Sequence, residues 1–189
     1  MSSRFKNRLI SSILSRLPSV VAFLAPHLVS NPKGDSSMKM SSTDNNDLND
    51  TDSNIPWTPL KKPLSELKVA LITTAGVHLS ADEPFDMYDA EGDATFRAIP
   101  SGTDTKNLKI THDYYDHSDA DKDVNIVLPI ERLRELAGEG VISEVATSHY
   151  GFMGHIVGGL VDVLINESAP KVLRRLKEDK VDVVILSPG

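Results

Sequence analysis

Lys68-Val-Ala-Leu-Ile-Thr-Thr74, closed by Ala75-Gly76, is a compact β-rich apolar run ending in a turn signal. Such a run without polar alternation reads as a strand buried on both faces. Val181-Asp-Val-Val-Ile-Leu186 has the same character near the end of the chain. Buried strands of this kind belong to parallel sheets, whose faces must be covered by helices. The intervening sequence supplies two. Pro129 opens one, with Ile130, Leu133 and Ala137 on one side, Glu131, Arg132, Arg134 and Glu135 on the other, and glycines at 138 and 140 to stop it. Ser168 to Asp179 predicts a second, capped by Ser168, with Val172, Leu173 and Leu176 turned inward. Leu108 to Thr111 and Val141 to Ala146 are short strand candidates. His149 to Gly154 reads as a glycine-rich turn leading to an apolar segment, Ile156 to Ile165. The expected fold is α/β, a mainly parallel sheet with helices on both faces.

Outward from this domain the composition changes. The chain has 189 residues, 40% hydrophobic and 25% charged, enough for one domain with a real core. Its net charge of -7 argues against a nucleic-acid partner, and no run approaches the roughly 20 apolar residues of a membrane span. With no cysteine there is neither a disulfide framework nor a thiol nucleophile. Residues 1–29 form a basic, acid-free segment in which Phe5, Leu9, Ile13 and Leu17 recur at steps of four. That stripe fits a docking helix, a membrane-surface helix or a targeting signal. Residues 30–56 are dominated by Ser, Asn, Asp and Thr and read as a disordered linker, so the folded domain starts at residue 57.

In open α/β sheets the ligand site lies beyond the carboxyl ends of the strands. Two features bear on that site. His112, Asp113, Asp116, His117, Asp119, Asp121 and Asp123 crowd one loop, and two imidazoles with five carboxylates can hold a metal or orient a cation. The bland alternative is that they cap turns in water. A calcium loop starting at Asp119 fails, because Val124 stands where glycine is required and Ile130 where glutamate is. His78 follows the first strand and its turn, and His149 and His155 flank Gly151-Phe152-Met153-Gly154, so all three are site-lining candidates with structural alternatives.

LITTAGVHL (71–79), PFDM (84–87), GDATFRAIP (92–100), ITHDYYDHSDADKDVNIVLPIERLREL (110–136), HYGFMGHI (149–156) and RLKEDKVDVVILSPG (175–189) together resemble one family. It is the glycine/sarcosine/betaine and D-proline reductase family, selenoprotein B component. PWTPL (56–60) extends the resemblance to residues 56–189. The resemblance implies reductive cleavage of a carbon-nitrogen bond in a small amine or amino acid in the cytoplasm. It also implies a thioredoxin-like or dithiol electron donor and, in several systems, a partner subunit carrying a pyruvoyl group. In that family a Sec-x-x-Cys or Cys-x-x-Cys element follows the strand at once, and this chain stops at Ser187-Pro188-Gly189. The expectation is therefore a front part ending at a selenocysteine codon, truncated at its C-terminal strand, with no catalytic residue, no metal and no cofactor of its own. The site would be lined by His78, His112, Asp113, Asp116, His117, His149 and His155. The alternatives are a non-catalytic partner-binding subunit of the same fold, or a metal-dependent hydrolase using His112 and His117.

Overall fold

The computed structural model describes residues 21–23 and 60–189. Among them the strands are β1 (Val21–Phe23), β2 (Lys68–Thr73), β3 (Val77–Leu79), β4 (Phe96–Pro100), β5 (Leu108–Ile110), β6 (Glu144–Val145), β7 (Ser148–Phe152) and β8 (Val183–Ser187). The α-helices are α1 (Ile130–Gly138), α2 (Leu160–Val163) and α3 (Ala169–Glu178). One sheet runs in the order β1-β8-β2-β7-β4, with β6 also beside β2. All its pairs are parallel except β4 against β7, and β3 and β5 make a separate antiparallel pair.

The apolar run at 68–74 becomes the central strand because both its faces find partners. Successive side chains on a strand point to opposite faces. Val69 and Leu71 pack with Leu128, Ile130 and Leu133 at α1. Ala70 and Ile72 pack with Val172 and Leu176 of α3. Each such large aliphatic side chain contributes about 1.5–3 kcal/mol on leaving water. The protein is thus an α/β fold with a mostly parallel sheet and a helix on either face.

Several local expectations change. His149 to Gly154 is not a turn: residues 148–152 are strand β7. Gly151 is there for close approach, since a Cβ on it would stand 1.9 Å from the Val77 carbonyl oxygen. Of the expected strand at 141–146, only Glu144–Val145 pairs. Ser168 makes no cap, because the chain is already helical before it: α2 runs through a π-helical stretch, Leu164–Ser168, into α3. Pro170 explains the wide turn, as it has no N–H for an i to i-4 bond and its ring needs room. The last strand lies between β1 and β2; Val183 and Val184 are buried and Ile185 to Ser187 half-buried. Within the basic segment, Val21–Phe23 is a strand beside β8. The stripe at 5–17 and the linker at 30–56 lie outside the described residues. No helix among the described residues is long and apolar enough to cross a membrane.

Candidate functional site

β2 is followed by β3, β4 and β5 before α1 covers one face of the sheet, and the connection after β7 leads to α3 on the other. β2 and β7 are parallel neighbours whose carboxyl ends stay joined, Gly76 donating its amide to the Phe152 carbonyl at 2.9 Å and Ala75 bridging to Met153, and it is at this carboxyl end that α/β proteins form a ligand crevice. Gly76, with φ of +74°, turns the chain at the end of β2. Its carbonyl accepts the Thr111 amide at 2.9 Å, which brings the acidic loop onto the crevice. A Cβ on Gly76 would sit 2.3 Å from the Thr111 carbonyl, so only glycine permits this approach.

His112, 4% exposed, stands between the two strand ends. The Gly154 amide faces its Nε2 at 3.1 Å and the Tyr114 amide faces its Nδ1 at 3.2 Å. A neutral imidazole has one acceptor nitrogen and an imidazolium has none, so the ring serves one amide at a time and is hostile to a second proton. Burial, with His117 and His155 nearby, holds His112 below the ordinary imidazole value. Tyr115 packs edge-on against His112 at 4.9 Å, and its hydroxyl donates to the Ala75 carbonyl at 3.1 Å. Burial, then the Asp121 carboxylate, pushes that hydroxyl up to about 12, so it stays a donor. Tyr114 stacks on His155 at 4.2 Å, and His155 Nε2 donates to the Ala90 carbonyl at 3.1 Å. His117 lies 5.5 Å from Tyr115, with Nδ1 2.8 Å from Asp121 Oδ2.

The crevice therefore assembles His112, His117 and His155. Asp113 and Asp116 are exposed on the same loop. Asp116 accepts the Ser118 amide at 3.0 Å, and that hydrogen bonding holds its carboxyl below the usual range. Asp123 likewise receives both the side chain and amide of Asn125, and Asp119 pairs with Lys122. His78 is buried in the β3–β5 pair, donating from Nδ1 to the Leu79 carbonyl at 2.7 Å, with Nε2 2.8 Å from the Thr111 hydroxyl. His149 belongs to the sheet itself. Its Nδ1 accepts the Leu71 amide at 3.0 Å where the β2 ladder passes from β6 to β7. Its Nε2 is buried without a hydrogen-bond partner among the described residues. Burial, then the Arg134 charge, pushes it down to about 4.

Tyr114 and Tyr115 join the imidazoles and carboxylates of the loop as site residues beyond the seven expected. Their signal was present, since two aromatic residues between His112 and His117 offer bulk that an acidic, solvated loop has no use for. Among the described residues no three His, Asp or Glu side chains lie so as to hold a metal ion, which leaves the hydrolase reading without a ligand set. A separate groove of about 410 Å³ runs between Leu108–Ile110 and Ala120–Val124 and touches none of the seven candidate residues.

No solved structure matches the chain. Among curated proteins it is similar to the D-proline reductase subunit gamma of Acetoanaerobium sticklandii, 41% identical over 133 residues, 70% of this chain and 53% of that one. It is also similar to the betaine reductase complex component B subunit beta of Peptoclostridium acidaminophilum, 28% identical over 136 residues, 67% of this chain and 29% of that protein. The glycine reductase complex component B subunit gamma of Symbiobacterium thermophilum is 28% identical over 136 residues, 70% of this chain and 31% of that protein. The chain thus spans about half the length of the first relative and less than a third of the other two. The family model for glycine/sarcosine/betaine reductase selenoprotein B matches residues 42–188, and the chain belongs to that family.

Proposed function

We propose that this chain is the front part of a selenoprotein B-type component of an amino-acid reductase of the glycine, sarcosine, betaine or D-proline class. In this reading a Sec-x-x-Cys or Cys-x-x-Cys element follows Gly189, and the crevice at His112 is where the carbon-nitrogen bond is cleaved. One observation carries it. Gly189 packs at the carboxyl end of β8, where its amide faces the Thr74 hydroxyl at 3.3 Å and a Cβ on it would meet Ala75 at 2.4 Å. Ala75 accepts the Tyr115 hydroxyl, and Tyr115 backs His112. A residue continuing from Gly189 would leave from beside Ala75, the residue on which Tyr115 and through it His112 are anchored. The greater length of the relatives supports a continuation.

The chemistry asks for a nucleophile ionised at neutral pH, which a selenol provides because its pKa lies below that of a thiol. Two electrons then come from a dithiol that closes to a disulfide. A partner subunit with a pyruvoyl group would hold a substrate that carries an N–H as an imine or iminium, with loss of water; betaine, which has no N–H, would be bound without that bond. This chain's own groups would supply a buried neutral imidazole and an aromatic wall that limits water.

The gene tests the proposal first: the reading frame past Gly189 should continue through a selenocysteine codon, with Cys three positions further on. An unrelated continuation would overturn it. The full-length protein, with Cys at the missing position and its partner subunits, should then reduce one of the four substrates with a dithiol donor. Assembly of the complex without turnover would favour the non-catalytic partner-binding subunit instead.

A further inference from the structure

We propose that Tyr115 is a positioning residue of this site, locking the His112 ring in the orientation in which Nε2 receives the Gly154 amide between the ends of β2 and β7. The inference rests on the crevice being the reductase site. Its geometric basis is the competition at His112, where two amides, from Gly154 and Tyr114, aim at the two ring nitrogens and only one can be served. Tyr114 is 46% exposed, in a turn where its amide can move to water. The Gly154 amide, 42 residues away in sequence, is the one that ties the acidic loop to the end of β7.

Something has to hold the ring against rotation and against water. Tyr115 is the group placed to do so. Its hydroxyl is anchored on Ala75, which is wholly buried and bridges to Met153, the residue before Gly154. Its ring contacts both His112, edge-on at 4.9 Å, and His117 at 5.5 Å. His117 is in turn held by Asp121. The charged or titratable groups facing His112 are His117, His155 and Asp113, with Tyr114 and Tyr115 as aromatic walls. Loss of Tyr115 exposes the His112 ring to water.

The test is nitrogen NMR of the full chain labelled with ¹⁵N in histidine, comparing wild type with Tyr115→Phe and Tyr115→Leu. The two ring nitrogens of each histidine report which carries the proton. Wild-type His112 should show one tautomer, protonated on Nδ1, and should titrate below an ordinary imidazole. Tyr115→Phe keeps the ring and loses the anchor, so both tautomers should appear. Tyr115→Leu loses both, and its His112 midpoint should rise toward the ordinary value. Signals of His149 and His78 should stay unchanged and report an intact fold. In the complete reductase, Tyr115→Phe should lower kcat about tenfold with KM nearly constant, the signature of lost positioning. An unchanged His112 tautomer and midpoint in both variants would overturn the role of Tyr115. Normal turnover of His112→Ala with the NMR changes intact would instead overturn the reductase site and leave the positioning standing.

Discussion

The two ends of the parallel sheet are built from opposite electrostatic logic. At the amino end Lys68, Asp179 and Asp182 form one matched network. Lys68 Nζ bonds the Asp179 carboxylate at 2.8 Å and the Asp179 carbonyl at 2.9 Å, with Glu144 at 3.4 Å. The other Asp179 oxygen takes the Thr147 amide at 2.6 Å, and Asp182 takes the Lys68 amide and the Lys62 ammonium. Although burial pushes the Asp179 carboxyl up, the Lys68 hydrogen bond and the Thr147 amide hold it below the usual range. At the carboxyl end the buried group is an imidazole with more donors aimed at it than it can accept. A fully satisfied network favours one rigid arrangement, whereas an over-subscribed acceptor leaves a choice that a ligand or a neighbour can decide. Stability belongs to the first end and chemistry to the second.

Four experiments bear on that division, taken from the largest effect down. The seam joining the ends is closed by His149, whose folded pKa of about 4 lies below its ordinary 6.5. A depressed histidine pKa contributes stability that is complete above about 6.5 and fades as pH falls toward 4, because the unfolded chain takes up the proton first. The two values differ by enough to remove up to about 3 kcal/mol. His149→Gln keeps an acceptor for the Leu71 amide and does not titrate. Its unfolding free energy, followed by urea titration between pH 7 and 4, should therefore fall less than that of the wild type. Equal slopes would free His149 from this role.

Next is His112→Ala in the complete reductase, with turnover per folded molecule expected to fall about a hundredfold or more, beyond any loss of stability from removing a buried ring that holds the Gly154 amide. Asp179→Ala should act on stability alone. Its pairing with Lys68 is only about one-sixth exposed, so its loss should cost about 2 kcal/mol, with turnover per folded molecule unchanged. If the Asp179 variant lost turnover beyond its unfolded fraction, the two ends would not be separable. The smallest effect belongs to His117→Ala. Its partner Asp121 is half exposed, so stability should drop by about 0.5 kcal/mol or less and turnover by less than tenfold. A hundredfold loss there would move His117 into the site proper.

Legibility followed the range of the interactions involved. The central strand and the two covering helices could be read because burial on a face imposes a period on neighbouring residues, as at Val69–Ile72 and at Val172 and Leu176. Gly151 was misread as a turn because a glycine that admits another backbone looks the same in one dimension as one that bends its own. The cap expected at Ser168 failed for a related reason: the helical residues before it carry no local stop, and Pro170 is absorbed by a wider turn. His78, His112 and His149 were equivalent candidates as letters. Tertiary structure separated them into a strand-pair histidine with both nitrogens matched, a crevice histidine with two rival donors, and a sheet histidine with one orphaned nitrogen.

By itself, the sequence determined the α/β class, the buried parallel sheet with helices on both faces, and the block of residues by which the family is known. The tertiary structure alone decided that Tyr115 packs against both His112 and His117, and that Gly76 and Gly154 bring the acidic loop to the carboxyl ends of β2 and β7. The reason is physical. Periodic burial is written in residues a few positions apart, but the state of a buried imidazole depends on which amides and rings surround it, and those come from segments some 40 residues away in sequence.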